Sequence, residues 1–343
     1  MSKKILALLL CLSLFILAAC SKQTERLSVD EGEEPQSSVS EPVLHINPLT
    51  GLSDLADGKT DDRPVAIMIN NITTAQPVQA GLNQADIIYE TEVEGGITRL
   101  LAVYQDVSKA GTIGTIRSAR YAYVDLAMGH NAIYIHHGQD PTYCAPHLKD
   151  TDDINISEGN YGYRLKNGLA SEHTLYTDGS KLWDGLVKDK VKTERGTSAV
   201  WASFADEDTS ITLENTASAV TVPFSSSYKS VFKYDAATGV YTRYFKDTLR
   251  KDYKTGETTE VKNVFVLLTS ISNYPDGKHR NIALESGDGY YLVNGTYTAI
   301  KWSKGAASNG FKFTKADGTE LTVNAGSSWV CLADKNTSQP AFE

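Results

Sequence analysis

Asn294-Gly295 lies between two runs rich in aromatic and β-branched residues, Tyr290-Tyr291-Leu292-Val293 and Thr296-Tyr297-Thr298-Ala299-Ile300. Two residues that tolerate positive φ between such runs commit a chain to a tight antiparallel hairpin. Asp317-Gly318 plays the same part between Phe311-Lys312-Phe313 and Glu320-Leu321-Thr322-Val323, and Thr238-Gly239 between Val231 to Tyr234 and Val240 to Phe245. With Val264 to Leu268 and Trp329 to Leu332, the later part of the chain reads as an all-β antiparallel domain of at least eight strands. It needs no helix of ordinary length.

The earlier part has a different character. Val65 to Ile69 is a continuous apolar run suited to a buried strand. Ile87 to Glu94 and Ile97 to Tyr104 flank Gly95-Gly96, a two-residue hairpin signal that sets Glu92 opposite Arg99 and puts Glu90, Glu92 and Glu94 on one face with that arginine. Ser118 is placed to cap a helix from Ala119 to Met128. A strand from Ala132 to Ile135 runs into His136-His137-Gly138, and a last helix falls between Ser180 and Val191. The fold class is therefore an α+β or α/β N-terminal domain with a mixed sheet, followed by an all-β antiparallel C-terminal domain.

The first twenty residues carry an address. Lys3 and Lys4 precede an uncharged apolar run from Ile5 to Ala19, too short to span a bilayer but right for a signal segment. Leu17-Ala18-Ala19-Cys20 then matches the pattern in which Cys20 is lipidated and becomes the first mature residue. Several acyl chains, palmitate among them, anchor stably where one is marginal. Residues rich in Ser, Glu, Gln and Pro follow as far as Pro42, and too few are apolar to offset the entropy of ordering them. They read as a tether of about 25 Å. The expected layout is residues 1–19 signal peptide, 20–44 lipidated cysteine and tether, 45–205 N-terminal domain and 220–335 C-terminal domain, lipid-anchored at the extracytoplasmic face of the cell membrane.

Charge narrows the partners. The chain has 33 Lys plus Arg against 42 Asp plus Glu, and removal of the signal leaves 31 against 42, a net charge of −11. Such a surface does not favour nucleic acid. Cys144 and Cys331 remain once Cys11 leaves with the signal and Cys20 is lipidated; an oxidising compartment allows a disulfide between them, but far apart in sequence they read as two buried thiols. No metal-ligand spacing, P-loop, dinucleotide fingerprint or serine-nucleophile motif occurs, so no cofactor is expected.

Several segments together carry a family resemblance. They are Asn47-Pro48-Leu49-Thr50-Gly51-Leu52, Arg63 to Asn71, Ala85 to Glu90, Glu94-Gly95-Gly96-Ile97-Thr98-Arg99 and Ile113 to Arg120, then Ser225 to Tyr228, Tyr241-Thr242-Arg243, Lys262-Asn263-Val264 and Gly326-Ser327-Ser328-Trp329. In this order they resemble the YerB-like lipoprotein family, over nearly the whole mature chain. The resemblance implies an extracytoplasmic lipoprotein of two domains, and the family supplies no reaction. Thr115, where the family commonly has Pro, and the run His137-Gly138-Gln139-Asp140-Pro141 depart from its pattern.

The chemistry is therefore read from residues. Arg117 and Arg120 flank Ser118 at a helix start, where free amides and two guanidinium groups converge on an anion, with Arg99 a third donor. Against this, the arginines pair internally with Glu90, Glu92, Glu94 or Asp125. His136 stands at a strand end, a place where sheet-edge sites form, and His173 is a second candidate. The expected function is binding of an anionic cell-envelope ligand or a protein partner through this Arg-rich pocket. The alternative is an enzyme acting on phosphorylated envelope intermediates.

Overall fold

The computed structural model describes residues 43–195 and 201–343. The signal segment, Cys20 and most of the tether lie outside the described residues. The chain is mostly β, and its centre is an eleven-stranded mixed sheet. The strands run in the order Asn215–Thr216, Thr296–Ser303, Ser286–Val293, Asn263–Thr269, Ser328–Asp334, Ile87–Glu92, Thr98–Tyr104, Val65–Asn70, Ile133–His136 and Asp153–Asn155, with Lys312–Lys315 paired to Thr296–Ser303.

Successive residues of a strand point to opposite faces, and here both faces are covered. Ala66 and Met68 enter one core while Val65, Ile67 and Ile69 enter the other, which is why this strand reads as an unbroken apolar run. Val330 and Leu332 join the first core, Trp329 and Cys331 the second. Tyr123 and Val124 of the helix Tyr121–Gly129 and the indole of Trp201 cover the first face. Leu182 and Leu186 of the helix Gly179–Lys188, with Phe232 and Tyr241, cover the second. Asp178 caps that second helix by accepting the Lys181 amide at 3.2 Å. Each fully buried large apolar side chain contributes about 1.5–3 kcal/mol.

Phe232 and Tyr241 belong to a six-stranded antiparallel sheet built from Ala219–Pro223, Lys229–Asp235, Val240–Phe245, Thr248–Leu249, Glu260–Val261 and Ala341–Phe342. The hairpin expectation holds at Asn294-Gly295, where Val293 faces Thr296 and φ is +51° and +70°. One expectation is corrected. The later part of the chain is not purely antiparallel, because Ser328–Asp334 pairs parallel to Asn263–Thr269 on one side and to Ile87–Glu92 on the other. That second pairing also carries one sheet across both halves of the sequence.

The Gly95-Gly96 hairpin is corrected by one residue. Glu94, Gly95 and Gly96 all lie in the turn, both glycines at positive φ, and Val93 donates its N–H to the Ile97 carbonyl at 2.9 Å. Glu92 therefore faces Thr98, and Arg99 faces Thr91. With a period of two, that slip removes Arg99 from the face of Glu90.

Candidate functional site

Six strands of the central sheet point the same way: Asn263–Thr269, Ser328–Asp334, Ile87–Glu92, Val65–Asn70, Ile133–His136 and Asp153–Asn155. Only Thr98–Tyr104 runs against them within that block. Their carboxyl ends form one edge, the place where open α/β sheets hold ligands. The helix Tyr121–Gly129 starts at this edge, and so does the two-stranded hairpin of Ile271–Asn273 and Arg280–Ile282. A small pocket, with a cavity of about 20 Å³, lies between them.

Its polar walls are ion pairs. Arg120 Nε donates to Glu94 Oε1 at 2.5 Å and Nη1 to the Ala119 carbonyl at 2.8 Å. Arg280 Nη2 lies 2.8 Å from Glu92 Oε2. His279 Nε2 lies 3.0 Å from Glu94 Oε1 and 3.2 Å from Asp140 Oδ1, while Nδ1 lies 2.5 Å from Asp276 Oδ2. Asp140 is fixed in turn by the amides of Thr142, Tyr143 and Cys144, at 3.2, 2.6 and 2.8 Å.

These contacts set the acidities. Burial pushes the Glu94 carboxyl up, but the Arg120 hydrogen bond and charge outweigh it and the group sits below its ordinary value. Burial is likewise outweighed at Asp140 by its three backbone N–H donors, and its carboxyl is also lowered. Glu92 is raised because burial dominates over the nearby Arg280 charge.

Tyrosines make the apolar part. Tyr143 and Tyr274 stack with ring centroids 4.0 Å apart, and Tyr121 meets Tyr274 edge-on at 6.2 Å. His147 stacks on Tyr121 at 4.3 Å and hydrogen-bonds Asp125.

The residues singled out by sequence gather at this edge but do not all enter the pocket. Arg120 lines it. Arg99 lies buried behind, its Nη1 donating to the Ser118 carbonyl, and burial followed by the Arg120 charge pulls its guanidinium down to about 9. Arg117 turns away and donates through Nη1 to the Glu172 carbonyl at 3.3 Å. Ser118 does not cap the helix. The cap position is Arg120, in extended conformation, and no side chain caps it.

His136 is fully buried, with Nδ1 2.8 Å from the Gly138 carbonyl oxygen and Nε2 2.9 Å from Asp153 Oδ2. His173 Nδ1 meets Asn70 Nδ2 at 2.9 Å. Glu90 is buried on the far face of the sheet, against Trp329 and Ser230. Cys144 and Cys331 are both buried free thiols, packed in the two different cores.

Sequence reading missed Asp140, Tyr143, Tyr274, His279 and Arg280 as site residues. One signal for the hairpin was present: Tyr274-Pro275-Asp276-Gly277 is a turn sequence between short strand runs. Among the described residues no helix is long and apolar enough to cross a membrane.

Comparison with known proteins agrees with this architecture. Residues 49–192 match the family model described as "Protein of unknown function (DUF3048) N-terminal domain", and residues 220–330 match its C-terminal counterpart. The Bacillus subtilis (strain 168) protein named "Putative lipoprotein YerB" is 27% identical over 333 residues, covering 94% of this chain and 92% of that one. The crystal structure of the Bacillus subtilis YerB protein superposes with a TM-score of 0.73, over 86% of this chain and 99% of the other, at 27% identity. With both models matched in order and the fold shared over most of the chain, the chain belongs to the two-domain DUF3048 family, the YerB-like family that its sequence motifs resemble.

Proposed function

We propose that this chain is a lipid-anchored binding protein of the extracytoplasmic membrane face, and that it holds a cell-envelope ligand in the pocket between Arg120 and the 271–282 hairpin. The Cys20 lipidation pattern and the name of the Bacillus subtilis relative support the address. The observation that carries the binding reading is the state of the pocket's charged groups. Glu94, Asp140 and Glu92 are each tied to an arginine or a histidine. Polar groups held in place by one another orient a ligand at small entropic cost. A general acid or base has to exchange its proton with the reactant, and two of these three carboxyls are held below their ordinary values. The set therefore suits recognition better than bond cleavage.

The test is thermal shift of the mature chain against solubilised, fractionated envelope material, with wild type beside Arg280→Ala. Stabilisation of the wild type by one fraction, absent in the variant, is the expected result. Equal responses of the two proteins would reject the pocket.

The second reading, an enzyme acting on phosphorylated envelope intermediates, draws on Arg99 lying within electrostatic reach of both Arg120 and Arg117. Turnover of a lipid-linked pyrophosphate by the wild type, lost in Arg120→Ala, would favour it.

A further inference from the structure

The pocket as it stands is shut. Its cavity of about 20 Å³ has room for about one water molecule, and Tyr143 and Tyr274 in its wall stack on each other rather than on a guest. A wider groove, about 540 Å³, opens on the other side of His279 along Gly95, Asn273 and Gly277. His279, Glu94 and Arg280 line both spaces, so the tip of the 271–282 hairpin is the partition between them.

That tip has little apolar hold on the body. Ile282 at the base of the hairpin is buried in the first core, whereas Pro275, Asp276, Gly277 and Lys278 are exposed. Tyr274 aside, the tip is fastened by charge. Arg280 meets Glu92, and His279 reaches two further elements, Glu94 of the 94–96 turn and Asp140 of the loop before Cys144. Segments with few buried apolar contacts open at less cost than the fold as a whole.

His279 fits its surroundings only as a cation. Its Nδ1 lies 2.5 Å from Asp276 Oδ2, and its Nε2 lies 3.0 Å from Glu94 Oε1 and 3.2 Å from Asp140 Oδ1, so both nitrogens face carboxylate oxygens. All three carboxyls sit below their ordinary values, Asp276 at about 2 chiefly through its hydrogen bond from His279. Ionised, they accept and cannot donate, whereas a neutral imidazole has one N–H and turns a lone pair outward from its other nitrogen. Loss of the proton from Nε2 frees the tip from Glu94 and Asp140. Loss from Nδ1 breaks the turn at Asp276. Arg120 also meets Glu94, with Arg99 behind it, but Asp140 and Asp276 have His279 as their ion-pair partner. The other charged neighbours are Glu92 and Arg280, paired with each other, and Lys278, exposed on the tip. The Tyr143 ring lies 5.5 Å from the imidazole, and beyond Tyr121 Asp125 is paired with His147.

We propose that the tip of the 271–282 hairpin is a lid on the pocket and that the proton on His279 is its latch, a regulation that rests on the binding reading above. With the proton in place, His279 draws the tip onto Glu94 and Asp140, and Tyr274 lies on Tyr143. When the imidazole is neutral the tip lifts, the two rings part, and the cavity joins the groove beside it. The ligand enters the space that the stacked rings close.

The experiment is NMR of the mature full-length chain, labelled in histidine and tyrosine, as pH is raised from about 5. The imidazole nitrogen spectrum reads whether one or both nitrogens of His279 carry hydrogen, and the Overhauser cross-peak between the Tyr143 and Tyr274 rings reads the stack. Both nitrogens should be protonated and the cross-peak present at the start, and the cross-peak should be lost in the same pH step that makes His279 neutral. His279→Gln has no such proton to lose and should show no step. An imidazole already neutral at the starting pH with the rings stacked overturns the latch. So does a cross-peak that survives the step, or an equal step in His279→Gln.

The envelope-fraction assay, run on both sides of the step, separates this inference from the binding reading. A fraction that discriminates wild type from Arg280→Ala should stabilise wild type more above the step than below it. Equal stabilisation on both sides overturns the latch and leaves the pocket. A stack that follows His279 while no fraction discriminates the variant overturns the binding reading and leaves the latch.

Discussion

Trp329 donates its indole N–H to Glu90 Oε2 at 3.0 Å, across 239 positions of sequence. The same carboxylate accepts from Asn71 Nδ2 at 3.0 Å, Thr98 Oγ1 at 2.8 Å and Ser230 Oγ at 2.9 Å. Arg243 lies 3.7 Å away, its guanidinium over the Trp329 ring at 4.7 Å. Glu90 is fully buried and Arg243 is 1% exposed, and among the described residues the Arg243 Nε and Nη1 have no hydrogen-bond partner. Low dielectric makes such a network costly to leave half-made.

Glu90→Ala therefore strands a buried guanidinium and four donors, and should destabilise the chain by about 3–5 kcal/mol. Trp329→Phe removes one charged hydrogen bond, about 1.5–3 kcal/mol, and trades the indole for a smaller phenyl, but strands no charge. Urea unfolding of the two variants checks the order. A Glu90→Ala midpoint within error of wild type would show that the carboxylate is not the hub of this network.

The shared sheet makes a second prediction. Because Ile87–Glu92 takes its parallel neighbour from Ser328–Asp334, neither half has a complete sheet alone. Thermal unfolding of residues 43–343 should be one cooperative transition, with matching calorimetric and van't Hoff enthalpies. Two resolved transitions would mean that the halves separate as independent domains at 205–220.

How much of this was legible is clearest at three places. Asn294-Gly295 reports itself, because a two-residue turn is set by the φ angles its own residues tolerate. Gly95-Gly96 gives the turn but not its length, and one extra residue moved Arg99 to another face from Glu90. The pairing of Ile87–Glu92 with Ser328–Asp334 leaves no local trace, since a buried strand reads the same whichever strand lies beside it. The site divides in the same way. Arg120 was visible as a charged residue at a helix start, whereas Arg280 and His279 became its neighbours only through that long-range pairing.

A third prediction concerns acid. Trp201 Nε1 donates to the Tyr89 hydroxyl at 3.0 Å, and that hydroxyl meets His130 Nε2 at 2.7 Å. With its proton given to His130, Tyr89 needs a neutral imidazole as acceptor. Burial, reinforced by the Arg195 and Lys304 charges, pulls His130 down to about 3. Between pH 3 and its ordinary value near 6.5 the unfolded chain binds this proton and the folded chain does not, so stability rises with pH across that window and falls as pH drops. At pH 5 the loss should be on the order of 2 kcal/mol. His130→Gln keeps an acceptor without a titration, and its urea midpoint should fall less between pH 7 and pH 5 than that of wild type. Parallel pH dependences would remove His130 as the cause.

The anchor gives a fourth. On the proposed lipoprotein reading, retention rests on acyl chains at Cys20. Cys20→Ala should move the protein from the membrane fraction to the medium. Retention of the variant through a high-salt wash would assign the attachment to something else.

The last concerns Glu94, the carboxylate that Arg120 and His279 share. Burial alone raises this carboxyl, and the Arg120 hydrogen bond and charge reverse the sign. Its folded value is below the ordinary one, so it contributes stability above about pH 4.5, and that contribution is lost as pH falls through the lower folded value. Arg120→Ala removes the two largest lowering influences and leaves the burial. The Glu94 pKa should then cross to above its ordinary value, while Arg120→Lys should keep part of the depression, because a lysine retains the charge but not the geometry of the guanidinium. Carbon-detected NMR titration of the Glu94 side chain reads both directions. A Glu94 that still titrates below its ordinary value in Arg120→Ala would assign the depression to its backbone hydrogen bond and the Arg99 charge instead.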